Sequence, residues 1–372
     1  MVQFLLAGAC RIVMRGWWRA AWIICLVGAF ASAADKKNNE KKNNPVEPGP
    51  PDILMDGGRR LVYERVFNSA HDVEIKRAFW KKVIDVIAGP PEYRGLVRPY
   101  DIAVDSHGRL IVTDPGAYGV HIFDFEQKKY KFLERKDAGK DPMRAPQGVA
   151  VDAKDNIYVT DSKSGKIFVF DAGGKFRRAL DSLKGGEGYF KRPTGIAVDS
   201  EAKRIYITDT LRDQVFVLDM DGSVMEKIGH NGTAEGEFNY PTELLLNGKN
   251  LAVVDAMNFR VQIMDRSGTF EHTVGKIGNG MGGLYRPKGI GFDSEGHLYV
   301  VDGLSSLVQV FNNEGQLLYY FGGRGTGLGY FQLPTGLAID RSDRIFVVDS
   351  FNRRVQVFRY FGIGQWGQGG TH

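Results

Sequence analysis

The sequence predicts an all-β protein that folds as a six-bladed β-propeller with four strands in each blade. Three observations lead to this prediction. The same pattern recurs six times at nearly constant intervals, each copy divides into four short runs rich in β-branched and aromatic residues, and Gly-rich segments separate the copies. A repeat of this length with four strands is typical of a propeller blade.

Residues 1–33 are predicted to be a signal peptide rather than part of the fold. A basic region precedes an apolar run over residues 20–30, and Ala31-Ser32-Ala33 supplies the small residues that a signal peptidase accepts. The sequence leaves open whether translation starts at Met1 or Met14. The mature protein is therefore expected to be exported, to the periplasm or outside the cell.

Composition narrows the classes of function. Both cysteines, Cys10 and Cys25, lie in the signal segment, so the mature chain offers no disulfide, thiolate metal ligand or Cys nucleophile. The formal net charge is +5, and the three arginines of this segment (Arg11, Arg15 and Arg19) account for 3 of it, which leaves 5 − 3 = +2. Export and a nearly neutral charge argue against a nucleic-acid partner.

Two segments separate the signal peptide from the repeats. Residues 34–58 are rich in Lys, Asn and Pro and are predicted to be a flexible tether, which would permit peripheral association with a membrane. Residues 59–97 are predicted to hold a strand at Leu61–Phe67 and one helix over Asp72–Ile87, because apolar residues recur there at helical spacing until Gly89-Pro90-Pro91 stops them.

The repeats occupy residues 98–364 and are followed by a Gly-rich tail at 365–372. The sixth copy ends after its third strand, so we expect Leu61–Phe67 to supply the missing fourth strand and close the ring. A proline opens each copy, at spacings of 47, 47, 48, 46 and 47 residues: Pro99, Pro146, Pro193, Pro241, Pro287 and Pro334. An aspartate closes the second strand of every copy: Asp114, Asp161, Asp209, Asp255, Asp302 and Asp349.

Three strings in these copies resemble NHL repeats. They are DAMNFRVQI at Asp255–Ile263, DSFNRRVQV at Asp349–Val357, and PTGLAID at Pro334–Asp340. The resemblance covers about residues 98–358 together with the closing strand, and it implies a six-bladed propeller. It implies no single activity, since the family includes scaffolds, sensor domains, RNA-binding modules and a few lyases.

The aspartate of the second strand is interpreted as structural because it recurs in every blade. Its carboxylate can accept backbone N–H bonds in the turn that follows, and Arg260 or Arg354 can pair with it. The copies at Asp114, Asp161 and Asp302 lack the Asn and Arg of the repeat motif, so we expect their turns to have a different shape.

Departures from the repeat are better candidates for a site. Two positions after the opening proline, four copies have glycine (Gly148, Gly195, Gly289 and Gly336), whereas the first has Asp101 and the fourth has Glu243. Opposite blades of a six-membered ring would bring these two carboxylates towards each other at the channel mouth. They are the candidate metal ligands, for Ca²⁺ or another hard divalent cation.

The function predicted from the sequence is a non-catalytic binding platform that requires no cofactor. It would recognise a protein, peptide or glycan on one face, and the protein would be a monomer. The alternative is a metal-dependent hydrolase or lyase with its site at the channel mouth. The candidate binding residues are those that begin the first strands: Tyr100, Thr194, Thr242, Lys288 and Thr335.

Overall fold

Six antiparallel β-sheets make up the folded part of the chain. The computed structural model describes residues 49–73, 94–134, 142–181, 189–278 and 280–363. The predicted signal peptide, most of the tether and the C-terminal tail lie outside these ranges. Of the predicted helix, Asp72 and Val73 are described, and they lie in a short 3-10 turn, Ala70–Val73. No α-helix occurs among the described residues.

Each of the first five sheets contains four strands in sequence order. The first two blades comprise β3 (Ile102–Val104), β4 (Leu110–Asp114), β5 (Gly119–Asp124), β6 (Lys129–Leu133), β7 (Pro146–Val151), β8 (Ile157–Asp161), β9 (Lys166–Phe170) and β10 (Phe176–Leu180). The third and fourth comprise β11 (Pro193–Asp199), β12 (Arg204–Asp209), β13 (Gln214–Asp219), β14 (Val224–Ile228), β15 (Pro241–Asn247), β16 (Asn250–Asp255), β17 (Arg260–Asp265) and β18 (Phe270–Val274). The fifth comprises β19 (Pro287–Phe292), β20 (Leu298–Asp302), β21 (Leu307–Phe311) and β22 (Leu317–Gly322).

The sixth sheet combines the two ends of the folded region. It contains β23 (Leu337–Ile339), β24 (Arg344–Asp349) and β25 (Arg354–Phe361), followed by β2 (Arg60–Phe67) and β1 (Ile53–Leu54). Strand β2 runs antiparallel to β25, with Leu61 opposite Tyr360 and Phe67 opposite Val355.

The first strands of the blades form a closed ring around a central channel. Each contacts the first strand of the next blade, in the order β3, β7, β11, β15, β19, β23 and back to β3. The chain is therefore a six-bladed propeller with four strands per blade, as predicted, and β1 adds a fifth strand to the last sheet. The described part of the chain contains no helix with the length and apolar character needed to cross a membrane.

Burial explains why the second and third strands are almost continuously apolar. Successive side chains of a strand point to opposite faces of its sheet, and both faces of an inner strand are covered by neighbouring blades. All five residues of β8 (IYVTD) are buried, whereas β6 (KYKFL) on the outside alternates between exposed and partly buried residues. One core cluster joins Val308 and Phe321 of the fifth blade to Ile345 and Phe358 of the sixth.

The recurrent aspartate joins the second strand to the segment that enters the first. Asp161 Oδ2 accepts the backbone N–H groups of Arg144 and Ala145, at 2.5 and 2.8 Å, while its Oδ1 accepts that of Ser164 in the following turn, at 2.8 Å. The predicted bond to the turn is confirmed. The bonds to the segment before the proline were not predicted, and they fix the start of the first strand.

Pairing of this aspartate with arginine is also confirmed where the motif supplies one. Arg260 Nε donates to Asp255 at 2.9 Å, and Arg354 Nε donates to Asp349 at 2.7 Å. In the four remaining blades the carboxylate accepts two backbone N–H groups before the proline, from residues 97 and 98, 144 and 145, 191 and 192, and 285 and 286. In the third of the six blades Arg212 Nη1 also lies 3.7 Å from Asp209.

The expectation of differently shaped turns is wrong. In all six blades the fourth residue after the aspartate has φ between +53° and +65°: Tyr118, Gly165, Asp213, Phe259, Ser306 and Arg353. The left-handed residue closes the turn before the third strand whichever side chains surround it. Backbone bonds to the aspartate therefore take the place of the missing Asn and Arg.

Substitution of Leu61 by alanine tests the contribution of β2. Leu61 is 2% exposed and belongs to the cluster that contains Phe358 and Tyr360, so Leu61→Ala is expected to lower the free energy of unfolding by about 2–5 kcal/mol in urea titrations. Leu54→Ala, in β1, is the control because Leu54 is 71% exposed. Equal stability of the two variants would contradict the packing of β2 in the sixth blade.

Removal of one recurrent carboxylate tests its structural role. Asp161→Ala leaves the buried N–H groups before Pro146 without an acceptor, and we expect a loss of about 1–3 kcal/mol in the free energy of unfolding. Asp221→Ala, at a side chain that is 84% exposed, should change it by less than about 0.5 kcal/mol. A neutral Asp161→Ala would show that the carboxylate does not hold the blade together.

Candidate functional site

A bowl with a volume of ≈ 700 Å³ opens at the end of the channel where the first strands begin. Its wall comes from the residues around the opening prolines and from the turns between second and third strands. The lining residues that carry charge, hydroxyl groups or aromatic rings include Arg98, Tyr100, Arg192, Arg286, Lys288, Thr335 and Phe351. A cavity of this size and concavity is typical of a ligand site.

Three arginines enter the bowl from alternate blades. Arg98, Arg192 and Arg286 directly precede the prolines of blades one, three and five, whereas the other blades have Ala145, Tyr240 and Leu333 there. In each of the three blades the recurrent aspartate accepts the backbone N–H of the arginine, at 2.9, 2.9 and 3.0 Å respectively. The structural carboxylate of the blade thus also positions a cation at the channel mouth.

The three guanidinium groups form no ion pair within the described residues. The guanidinium carbon of Arg98 lies 5.6 Å from the ring centre of Phe351, and Arg192 donates to the Tyr240 hydroxyl at 3.0 Å. The Arg286 side chain forms no hydrogen bond in the part of the chain described. All three side chains are exposed and remain available to an anionic ligand.

Lys288 adds a fourth cation, deeper in the bowl. Its Nζ lies 5.9 Å from the ring centre of Tyr100. Burial, together with the charges of Arg286 and Arg192, lowers the pKa of Lys288 to about 8, while the charge of Glu243 acts in the opposite direction. The cations of blades three and five thus line the same bowl.

Below the bowl the channel is almost closed. A cavity of only ≈ 10 Å³ remains between Tyr100, Thr242, Glu243, Lys288 and Thr335, which is room for about one water molecule. The hydroxyls of Thr242 and Thr335 line this space without a hydrogen-bond partner among the residues that the structure describes, and Thr242 is only 6% exposed. A ligand larger than water therefore has room in the bowl but not in the channel beneath it.

Glu243 lines this small cavity, and Asp101 of the neighbouring blade packs against Gly336, another of its lining residues. Asp101 Oδ2 accepts the backbone N–H of Val149 at 2.9 Å, and Glu243 Oε1 accepts that of Leu244 at 3.0 Å. A Cβ on Gly195 would come within 2.7 Å of Glu243 Oε1. The glycines of this column are thus required by the close approach of the next blade, which the sequence pattern alone did not reveal.

Both carboxyl groups have raised pKa values. Burial raises the pKa of Asp101 to about 7, although its backbone hydrogen bonds act in the opposite direction. Burial also raises the pKa of Glu243 well above its usual range, and the charge of Asp101 raises it further. The two groups are therefore close enough to interact, and their role as metal ligands stays a prediction.

Another cluster has the geometry to hold a metal, at the opposite end of the channel. Among the described residues, Asp105, His107 and Asp155 bring three possible ligand atoms within 4.8 Å of one another. Both carboxylates are already occupied: Asp155 accepts the N–H and hydroxyl of Ser106, and Asp105 accepts backbone N–H groups and the Arg109 guanidinium. The cluster is explained as turn stabilisation.

The structure brings together four of the five predicted binding residues. Tyr100, Lys288 and Thr335 line both the bowl and the small cavity below it, and Thr242 lines the cavity. Thr194 is placed differently, because its hydroxyl is shared with Thr208 and Thr210, at 2.9 and 2.8 Å. The sequence analysis missed the three arginines, although the column of residues before each proline contains the signal.

A collar of exposed apolar side chains surrounds the bowl. It consists of the residue two positions after the recurrent aspartate in blades three to six, where the exposed fractions are 47, 53, 58 and 52%: Leu211, Met257, Leu304 and Phe351. The same position in blades one and two holds Gly116 and Lys163. Apolar groups exposed in this arrangement, around a concave polar centre, are characteristic of a binding face.

Substitution of Asp101 by asparagine tests the raised pKa. The unfolded chain releases the Asp101 proton near pH 4 and the folded chain near pH 7, so wild-type stability falls as the pH rises through that interval. Asp101→Asn keeps an acceptor for Val149 and should be about 2–4 kcal/mol more stable than wild type at pH 8, but equal to it near pH 4. Urea titrations across this range provide the measurement.

The exposed substitution Glu314→Gln is the control for this experiment and should give the same difference from wild type at every pH. A constant offset for Asp101→Asn between pH 4 and 8 would contradict the placement of a buried, titrating carboxyl at this position.

Known structures share this architecture at low sequence identity. An auxiliary nutrient binding protein from Bacteroides thetaiotaomicron is 15% identical with a TM-score of 0.56, over 72% of this chain and 70% of that one. A gluconolactonase from Xanthomonas campestris is 16% identical with a TM-score of 0.55, over 85% and 99%. A streptogramin B lyase is 15% identical with a TM-score of 0.52, over 72% and 94%. Such likeness shows the fold alone.

Two family models match parts of the chain. A model described as a 6-bladed beta-propeller matches residues 198–261, and a model of the NHL repeat matches residues 143–170 and 331–358. No sequence among the curated proteins matches. The matched segments fall in the second, third, fourth and sixth blades of the closed ring. The protein is thus a six-bladed β-propeller that carries NHL repeats.

Proposed function

We propose that the protein is an exported, monomeric and non-catalytic binding platform that recognises a protein or peptide on the face containing the bowl. The collar is the observation that carries this proposal. Four apolar side chains, each about half exposed, occupy the same turn in successive blades and surround a concave centre. Nothing in the architecture of a blade requires an apolar residue at this position, since Gly116 and Lys163 occupy it in blades one and two.

The composition of the face fits a protein partner better than a glycan. Three collar residues are aliphatic or thioether side chains, which pack against apolar surfaces, whereas sugars are usually bound by stacking on aromatic rings and by dense hydrogen bonding. Arginine and tyrosine within the bowl are the residue types that contribute most at the centres of protein interfaces. A partner would thus bury the collar and place polar groups in the bowl.

The alternative, a metal-dependent hydrolase or lyase, draws support from the perturbed carboxyl groups of Asp101 and Glu243, because shifted pKa values cluster at functional sites. Two features weaken that support. Of the two, Glu243 lines a space for about one water, and the four positive side chains of the bowl oppose the approach of a metal cation. Binding without catalysis is the function that the site supports better.

A matched pair of variants tests the platform. The collar variant Leu211→Gln, Met257→Gln, Leu304→Gln removes three apolar groups of the binding face, and the control Met225→Gln, Leu318→Gln removes two similarly exposed groups from the outer strands β14 and β22. Partners crosslinked to the wild-type protein in the envelope fraction would be purified and titrated by calorimetry. We expect at least tenfold weaker binding by the collar variant and a change below twofold in the control.

Three outcomes would overturn the proposal: equal effects of the two variants, failure of any captured polypeptide to bind again in purified form, or recovery of an oligosaccharide as the ligand. Metal analysis of the same samples addresses the alternative. Bound metal in the wild-type protein that disappears in Asp101→Asn, Glu243→Gln would favour the enzyme.

A further inference from the structure

Several hydrogen-bond donors line the bowl, and the lining offers too few acceptors to pair with them. Arg98, Arg192 and Arg286 contribute guanidinium groups that form no ion pair among the described residues, and Lys288 contributes an ammonium group below them. Exposed cations that no anion of the described residues neutralises favour a ligand that is negatively charged and accepts hydrogen bonds.

The geometry points to an oxyanion-binding centre in which the three arginines take the carboxylates of an acidic peptide segment. This inference deepens the proposed function and rests on it for the identity of the partner. The anion centre itself is defined by the arginines, by Lys288 and by the bowl that they line, and small probes can test it without any partner.

The arginines are held in place by the fold rather than by chance surface contacts. Each directly precedes the proline of its blade, and the buried aspartate of that blade accepts its backbone N–H at 2.9 to 3.0 Å. Because blades one, three and five alternate around the ring, the three side chains approach the bowl from three separated directions. The backbone at each arginine is therefore ordered before an anion binds, and binding has to order only the side chains.

At the opposite end of the channel, arginines form ion pairs with acidic side chains. A cavity of ≈ 720 Å³ there is lined by Asp105, Asp152, Asp155, Asp199 and Asp340. Two of the three arginines that line it are paired with these acids: Arg266 pairs with Asp199, and Arg344 pairs with Asp340 at 2.7 Å. The two ends of the channel thus have opposite electrostatic character, so only the bowl favours an anion.

Carboxylates of a peptide fit the bowl better than a single phosphate. The cations are distributed around ≈ 700 Å³ rather than gathered at one point, and the apolar collar begins where the arginines end, since Arg98 lies against Phe351. A peptide segment that alternates acidic and apolar side chains would satisfy both features at once. Guanidinium groups pair well with carboxylates because the fork of donors matches the two oxygens.

The experiment uses the folded protein and defined probes. An eight-residue peptide with three Glu and three Leu, its Gln-for-Glu analogue, citrate and inorganic phosphate would each be titrated by calorimetry at 50 and 300 mM salt. We expect the Glu peptide to bind, the Gln peptide to bind at least tenfold more weakly, and the affinity for the Glu peptide to fall with salt.

Two charge-matched triple variants complete the design. Arg98→Gln, Arg192→Gln, Arg286→Gln should weaken binding of the Glu peptide at least tenfold. The control Lys154→Gln, Lys203→Gln, Arg341→Gln removes three positive charges from the opposite end of the channel and should leave affinity within twofold of wild type. If the triple arginine variant does not fold, Arg286→Gln alone replaces it, because its guanidinium has no partner among the described residues.

The inference is overturned if the Glu and Gln peptides bind alike, if the arginine variant binds as wild type, or if the control variant loses as much affinity. Binding of phosphate without the Glu peptide would overturn the carboxylate assignment. Failure here is distinct from failure of the platform: a purified partner that binds the arginine variant normally would leave the platform standing and remove the anion centre. If the Glu peptide binds but no captured partner does, the anion centre stands and the platform is overturned.

Discussion

In each blade a buried aspartate ties the end of the second strand to the segment that leads into the first. That link crosses the inner edge of the sheet, where strands of neighbouring blades are so close that most first strands have room only for glycine. Without acceptors for the backbone N–H groups before each proline, the first strands would lose their fixed start and the channel wall its shape. The closed ring, the narrow channel below the bowl and the placement of every bowl residue depend on this contact.

Because this aspartate contact recurs in every blade, it distinguishes the positions that must stay constant from the positions that can vary between blades. The turn after the aspartate has a left-handed fourth residue in all six blades, whichever side chain stands two positions after the aspartate. Leu211 and Phe351 can occupy that position in two blades and Gly116 in another without any change in the scaffold. The same holds before the proline, where Arg286 and Leu333 are alternatives at equivalent places. The positions that vary between blades are therefore the candidates for function, whereas the positions that recur in every blade maintain the fold.

This division explains how much could be predicted from the sequence. The period of the opening prolines and the unbroken aspartate column specify blade number and strand number, because both arise from local backbone requirements. The predicted binding residues Tyr100 and Lys288 line the bowl, and their role in binding stays a prediction.

The rest needed three-dimensional information. A glycine required by the next blade, as at Gly195, looks the same in sequence as one tolerated in open space, so Asp101 and Glu243 were expected at an open mouth rather than packed against the neighbouring blades. Thr194 has the same position in its repeat as Thr242, but only Thr194 has Thr210 beside it to accept or donate a hydrogen bond. The different turn shapes expected from missing Asn and Arg did not occur, because backbone bonds replaced the lost side chains.

The sixth blade contains strands from both ends of the folded region, so this blade can form only after both ends have been synthesised. Strand β2 is among the first parts of the domain to be made, yet its partner β25 is the last strand of the ring. Leu61 and Phe67 therefore stay unpaired until β25 has been made, and the long loop that their pairing closes makes this step slow. The completed ring, and with it the bowl, is available only to the full-length domain.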